Sequence, residues 1–250
     1  MSSPAIVTVP CFSGAPWRLE ELTPLADWPL RTMRLPEAVD DVEAYADFVE
    51  AQVASVDDYI LVGDSFGAVV CLGVAVRRPA GLRGLVLSGG FAANPVDSPL
   101  VRAKVASARF LPDPLYREVT LRFHAASLAS PHDGEGQVPR GKKDFRRLFI
   151  ENTPWRSYVA RAKAAFSADY RSRLGNIDVP TLVITPSYDR LIGEAAAREL
   201  VEGIPDATEV VLHRTGHMFR FTHPVTYARA VADFLDTRVE RRSASEQPGA

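Results

Sequence analysis

Short β-branched runs alternate with longer segments of helical period along most of the chain, and this alternation limits the fold more than any other feature. Ala5–Val9, Tyr59–Val62, Leu82–Leu87, Thr181–Thr185 and Glu209–Leu212 read as buried strands, and a short run near Leu30–Leu35 makes a sixth. Between them, Ala38–Val56 carries Val39, Val42, Tyr45, Ala46, Val49 and Val53 at three-and-four spacing, the stripe of an amphipathic helix. Ser65–Arg77, Ala195–Val201 and Pro224–Asp236 read as further helices. Strands separated by helices are joined by crossovers rather than hairpins, so they lie parallel and need helices on both faces of the sheet. The expected class is α/β: a mostly parallel six-stranded sheet covered on both faces.

One connection is too long for a single crossover helix. Between the strand ending near Leu87 and the one starting at Thr181, apolar spacing suggests four helices: Val101–Phe110, Leu115–Leu128, Lys142–Ile150 and Trp155–Phe166. Pro112 and Pro114, the loop from Pro131 to Gly141, and Thr153-Pro154 separate them. The expected division is therefore residues 1–90 and 176–238 as the α/β body, 91–175 as a helical insertion, and 239–250 as a polar tail with no apolar period. The insertion holds 15 Lys and Arg against 8 Asp and Glu, although the whole chain is at −2 with a pI near 6.2. Such a balance gives no global basic field to draw the protein onto nucleic acid or anionic lipid. The longest apolar stretch, around Ala68–Val76, falls far short of a membrane span, and no basic residue before Arg18 marks a secretory leader. Two cysteines, Cys11 and Cys71, with no C-x-x-C pair, fit a reducing cytoplasm.

The sharpest local motif is Gly63-Asp64-Ser65-Phe66-Gly67, set where the strand YILVG runs into the helix AVVCLGVAV. At such a junction a serine sits on a tight turn that exposes its hydroxyl, and glycines two places either side leave room for it. A hydroxyl is a poor nucleophile until a base takes its proton, so the reading demands a histidine oriented by a carboxylate. Both follow in order. Asp189 comes in the loop after PTLVIT, and His217 in the loop after EVVLH, one helix and one strand later. Each falls beyond the carboxyl end of a parallel strand, where open α/β sheets gather functional groups.

Together, GDSFG, the aspartate after PTLVI and the Gly-His before the last helix resemble the α/β-hydrolase fold superfamily, in its order of nucleophile, acid and base. The resemblance covers nearly the whole chain, and the insertion looks like the helical cap of capped esterases, pimeloyl-carrier esterases and C–C bond hydrolases. It implies Ser65 as nucleophile, His217 as general base and then acid, and Asp189 as the group fixing the imidazole tautomer. It implies an oxyanion hole from the backbone N–H of Phe66 and that of Phe12, and no cofactor or metal. The usual His-Gly ahead of the oxyanion residue is Pro10-Cys11 here, so Cys11 or Ser13 could stand in for Phe12. Ala68 stands where many relatives have a second glycine, and with the first strand at Ala5 the sheet is expected to have six strands, without the family's amino-terminal hairpin. The implied reaction is hydrolysis of a small carboxylic ester through an acyl-enzyme. Alternatives are a thioester or carrier-bound acyl ester, a C–C bond hydrolase or lyase on the same triad, and a non-catalytic small-ligand binder.

Other residues are weighed against plainer roles. His213, His217 and His223 lie close in sequence, but no cysteine or spaced carboxylate joins them, which disfavours a metal site; His223 is expected to cap the last helix. Asp64 either tunes His217 by its charge or bonds locally. Trp155 is a candidate for the pocket wall. The basic insertion either attracts an acidic or carrier-bound acyl group or is an ordinary solvated helix surface.

Overall fold

The computed structural model describes residues 3–18, 22–96 and 98–239. The strands are β1 (Ala5–Val9), β2 (Leu30–Thr32), β3 (Tyr59–Asp64), β4 (Leu82–Ser88), β5 (Thr181–Pro186) and β6 (Ala207–Leu212), forming one sheet in the order β2-β1-β3-β4-β5-β6. Every neighbouring pair is parallel, so the sheet is wholly rather than mostly parallel. The alternation of the four inner strands is sorted between two cores. Val7, Val9, Leu61, Leu85, Leu87 and Val183 face one cluster, while Ile6, Ile60, Val62, Val86, Leu182 and Ile184 face the other.

Helices α1 (Val42–Val53), α2 (Phe66–Ala75) and α8 (Glu194–Gly203) cover the first face. The second is closed by α10 (Pro224–Phe234), the short helix Thr23–Leu25 and Trp17. Helix α1 starts at Val42 rather than Ala38. The Asp41 carboxylate accepts the Glu43 N–H at 3.1 Å as its N-cap, and Ala38 sits at φ 55°, outside helical space. The strand expected to run to Leu35 ends at Thr32. Val239, expected to begin the tail, is buried in the second core; residues 240–250 lie outside the described residues.

The chain order places the functional region. From β1 the chain moves to β2 on one side and then returns to β3 on the other, so the carboxyl ends of β1 and β3 open a crevice where the connections diverge. Above it lie α3 (Pro99–Ser107), α4 (Asp113–Leu115), which continues through a π-helical turn at Tyr116–Thr120 into α5 (Leu121–Leu128), then α6 (Lys142–Asn152) and α7 (Trp155–Ser167). These helices build a third apolar cluster from Tyr116, Leu121, Leu128, Phe145, Phe149 and Tyr158. Cys11, Met218 and Phe221 complete it from the sheet side, so the insertion packs directly over the ends of the strands.

Candidate active site

Ser65 follows β3 and caps α2 with φ 55° and ψ −115°, a conformation that an L-residue adopts only under constraint. The constraint is visible on both sides. The Ser65 N–H donates to Ser88 O at 2.7 Å, and Ser65 O accepts from Ala68 N at 2.9 Å. A Cβ on Gly63 would lie 2.5 Å from Gly67 O, and one on Gly67 would lie 2.2 Å from Val9 O. Only glycine at both positions lets the start of α2 press against the end of β1 and hold the serine at the apex.

Asp189 lies in the loop after β5, and His217 follows β6 ahead of the short helix α9 (Phe219–Thr222). The structure brings both to Ser65: Asp189 Oδ2 is 2.8 Å from His217 Nδ1, and His217 Nε2 is 2.9 Å from Ser65 Oγ. The other Asp189 oxygen accepts the N–H groups of Leu191 at 2.9 Å and Ile192 at 3.0 Å, which fixes the carboxylate. Burial pushes the Asp189 carboxyl upward in pKa, but the imidazole and the two N–H groups outweigh it, leaving the pKa below the usual carboxylate value. For His217 burial acts downward, and the charges of Asp189, Asp64 and Asp133 outweigh it, so its pKa stands above that of an ordinary histidine. With Nδ1–H committed to Asp189, Nε2 is left as the acceptor toward the serine.

Phe66 is the first residue of α2, where N–H groups have no carbonyl within the helix to bond. Phe12 lies in the turn after β1, closed by Gly14 N to Cys11 O at 2.8 Å, and its ring meets Phe66 edge-on at 6.1 Å. The Phe12 N–H donates no hydrogen bond among the described residues. Ser13, its possible substitute, is fully buried and turned into the fold, its Oγ within 3.3 Å of Cys11 Sγ. The Cys11 thiol is pushed up in pKa by burial and by Asp64, which keeps it protonated.

A cavity of 140 Å³ opens beside Ser65 and His217. Its wall is largely apolar: Phe12, Phe91, Val101, Val105, Leu128, Phe149, Tyr158, Phe166, Leu191 and Met218 contribute. Trp155 is not part of that wall. It is half-buried against the core of the insertion with the Arg156 guanidinium 5.4 Å from its ring; it shares the face of α7 that carries Tyr158 and Ala162 but stands one turn before them, at the end of the helix beyond the cavity. His213 is exposed at the end of β6. His223 precedes α10, but its side chain does not cap the helix: Nδ1 is 2.9 Å from Thr222 Oγ1.

Three arrangements escape the sequence reading: the partner of Asp64 and the places of His124 and Arg161. Asp64 is buried with Arg220, Oδ2 to Nε 2.7 Å, and that guanidinium lies between Trp17 and Phe221, 4.1 and 3.9 Å from their rings. Asp64 therefore bonds not locally but to a residue remote in sequence, and its charge also bears on His217. His124 of α5 enters the cavity wall among Phe12, Phe149 and Tyr158; burial, then His217, lowers its pKa to about 4, so it is neutral at pH 7. Arg161 of α7 reaches the turn carrying Phe12. Arg220, His124 and Arg161 belong to no motif, since each is defined by partners remote in sequence.

Known proteins resemble this chain in sequence and in fold. A family model described as "Alpha/beta hydrolase family" matches residues 6–230. A pimeloyl-[acyl-carrier protein] methyl ester esterase of Neisseria meningitidis is 29% identical over 225 residues, covering 84% of this chain and 69% of that protein. A 2-hydroxy-6-oxononadienedioate/2-hydroxy-6-oxononatrienedioate hydrolase of Cupriavidus pinatubonensis is 31% identical over 186 residues, 70% of this chain; the match spans only 61% of that relative. Among solved structures, the enol-lactonase from Burkholderia xenovorans LB400 superposes with a TM-score of 0.78 at 20% identity, covering 94% of this chain and 92% of that one.

Proposed function

The chain belongs to the alpha/beta hydrolase family and is a hydrolytic enzyme, and from that premise we propose that it cleaves a carboxylic ester through a covalent acyl-enzyme. Ser65 Oγ attacks the carbonyl carbon while His217 Nε2 takes its proton. The tetrahedral oxyanion is held by the N–H groups of Phe66 and Phe12, each such donor contributing about 3 kcal/mol in this chemistry. The imidazolium, stabilised by Asp189, then protonates the leaving alkoxide. Water, deprotonated by the same His217, attacks the acyl carbon, and the acid departs as Ser65 regains its proton. The observation that carries this reading is the relay of 2.8 and 2.9 Å from Asp189 through His217 to a serine held at φ 55°. No step calls for a cofactor or a metal.

In this reading residues 91–175 act as a helical cap over a body formed by 1–90 and 176–238, closing an apolar pocket and excluding bulk water. The substrate is a small ester rather than a nucleic acid or a membrane. Two buried unpaired thiols support work in the cytoplasm, and among the described residues no helix is long and apolar enough to cross a membrane. The excess of basic residues in 91–175, together with the match to an esterase of a carrier-bound acyl chain, supports a second reading within the same chemistry: the acyl group arrives on an acidic carrier.

Assays over esters of graded acyl length test the proposal. Ser65→Ala and His217→Ala are each expected to lower kcat by about 10⁴-fold or more in folded protein. Wild-type turnover in Ser65→Ala would overturn it.

A further inference from the structure

Arg161, in the middle of α7, is 1% exposed, and no described carboxylate pairs with it. An unpaired buried cation is expensive to desolvate, so its partners have to be sought elsewhere. They are main-chain carbonyls. Nη1 donates to Phe12 O at 3.0 Å and to Ser13 O at 2.9 Å, and Nη2 donates to Pro36 O at 3.3 Å. The Thr153 hydroxyl, between α6 and α7, donates to the same Ser13 O at 3.3 Å. The chain beside the turn is shaped around the guanidinium: Gly14 sits at φ 72°, and a Cβ there would lie 2.4 Å from Nη2.

The remaining carbonyls of the turn are engaged as well. Cys11 O accepts Gly14 N at 2.8 Å, and Gly14 O accepts Leu35 N at 3.1 Å. Every carbonyl from Cys11 to Gly14 is therefore held, and those of Phe12 and Ser13 are held from the insertion. If filling space were the only requirement, an apolar side chain would pack the site without desolvating a charge. What a guanidinium adds is a planar fork whose donors fix several peptide units at once.

We infer that Arg161 is a positioning residue for the oxyanion hole: it grips the Phe12 and Ser13 carbonyls so that the turn presents the Phe12 N–H to the reacting carbonyl of the substrate. Oxyanion stabilisation thereby depends on α7 being seated, which ties the rate of the chemical step to the insertion. This rests on the acyl-enzyme reading above and adds to it a residue that touches no reacting atom.

The test uses the full chain with Arg161→Met and Arg161→Lys. Active sites are first titrated with a fluorophosphonate, so that rates refer to competent enzyme only. The measurements are kcat and KM for one good ester, and the affinities for an alkylboronic acid, which mimics the tetrahedral intermediate, and for the product carboxylic acid. Arg161→Met is expected to lower kcat per titrated site by about 10²-fold, with KM changed by less than about threefold, as removal of one oxyanion donor does. Boronate affinity should fall in the same proportion while product affinity holds. Lys can satisfy fewer carbonyls, so it should recover about tenfold of the lost kcat. A purely structural role would lower the melting temperature and the titratable fraction but leave kcat per site and boronate affinity at wild-type values, and that result overturns the inference. Should the Met variant fail to fold, the Lys variant decides on the same two readouts. A wild-type protein that takes no fluorophosphonate at all would instead defeat the acyl-enzyme reading, before any variant is compared.

Discussion

At the scale of single residues, charge placement around His217 sets how the site responds to pH. Its base form is needed for attack, and its pKa is raised because Asp189, Asp64 and Asp133 together outweigh burial. The acid limb of kcat/KM for the wild type should therefore have its midpoint above the ordinary histidine value of about 6.5, with activity falling as pH drops through it. Asp189→Asn removes the largest of the raising charges and leaves the burial in place. The expected outcome is a folded enzyme with kcat lower by about 10⁴-fold, whose residual activity has its acid limb displaced to lower pH. A pH–rate profile of the two proteins checks the sign, and an unmoved limb would mean that Asp189 does not govern the titration. Ser65 and its two partners were legible in the sequence because each occupies a position that strand and loop order alone define. Arg161, His124 and the Asp64–Arg220 pair were not, because a buried polar group is identified by what surrounds it. Asp64 and Arg220 are neighbours at 2.7 Å but stand on opposite sides of the chain's long insertion in sequence.

At the scale of elements, the strand-to-helix turn is the most constrained part of the molecule. Gly67 faces Val9 O and Pro10 O at distances where no Cβ fits, and both are backbone atoms that cannot swing aside. Gly67→Ala should destabilise the fold by about 1–3 kcal/mol, through displacement of α2 from β1, and should cost activity beyond that loss because the same shift moves Ser65 and the Phe66 N–H. Chemical denaturation together with kcat per titrated site separates the two effects. The bounds of the buried strands were read closely from the pattern: β1 spans the residues expected, since apolar β-branched runs buried on both faces leave little choice, whereas the exposed β2 stops three residues short. Helix starts were less readable. The three-and-four stripe of α1 extends back to Val39, yet the Asp41 cap and the positive φ of Ala38 stop the helix at Val42. The stripe reports which face is apolar, and the capping hydrogen bond decides where the helix begins.

Across the whole molecule, the division of charge gives a prediction about substrates. Residues 91–175 carry 15 basic and 8 acidic side chains, and in the proposed reading they cap the pocket, while the whole chain is at −2. If the acyl group arrives on an acidic carrier, kcat/KM for that substrate should fall several-fold between about 50 mM and 500 mM salt, while a neutral ester of equal acyl length stays flat. Equal salt dependence for both would remove the carrier reading and leave the small ester. The α/β architecture and the place of the insertion followed from the order of elements. How the insertion sits did not: its contacts with the sheet ends through Cys11, Met218 and Phe221, and the exclusion of Trp155 from the cavity wall, arise from packing between segments far apart in the chain.

The central claim is that Ser65 is an activated nucleophile. Its most direct test is reaction of the folded wild type and Ser65→Ala with a fluorophosphonate, followed by mass spectrometry of the peptides. The account predicts one adduct per chain, on Ser65, formed faster as His217 loses its proton and absent from the alanine variant. A folded wild type that takes no label, or takes it on another residue, would contradict it.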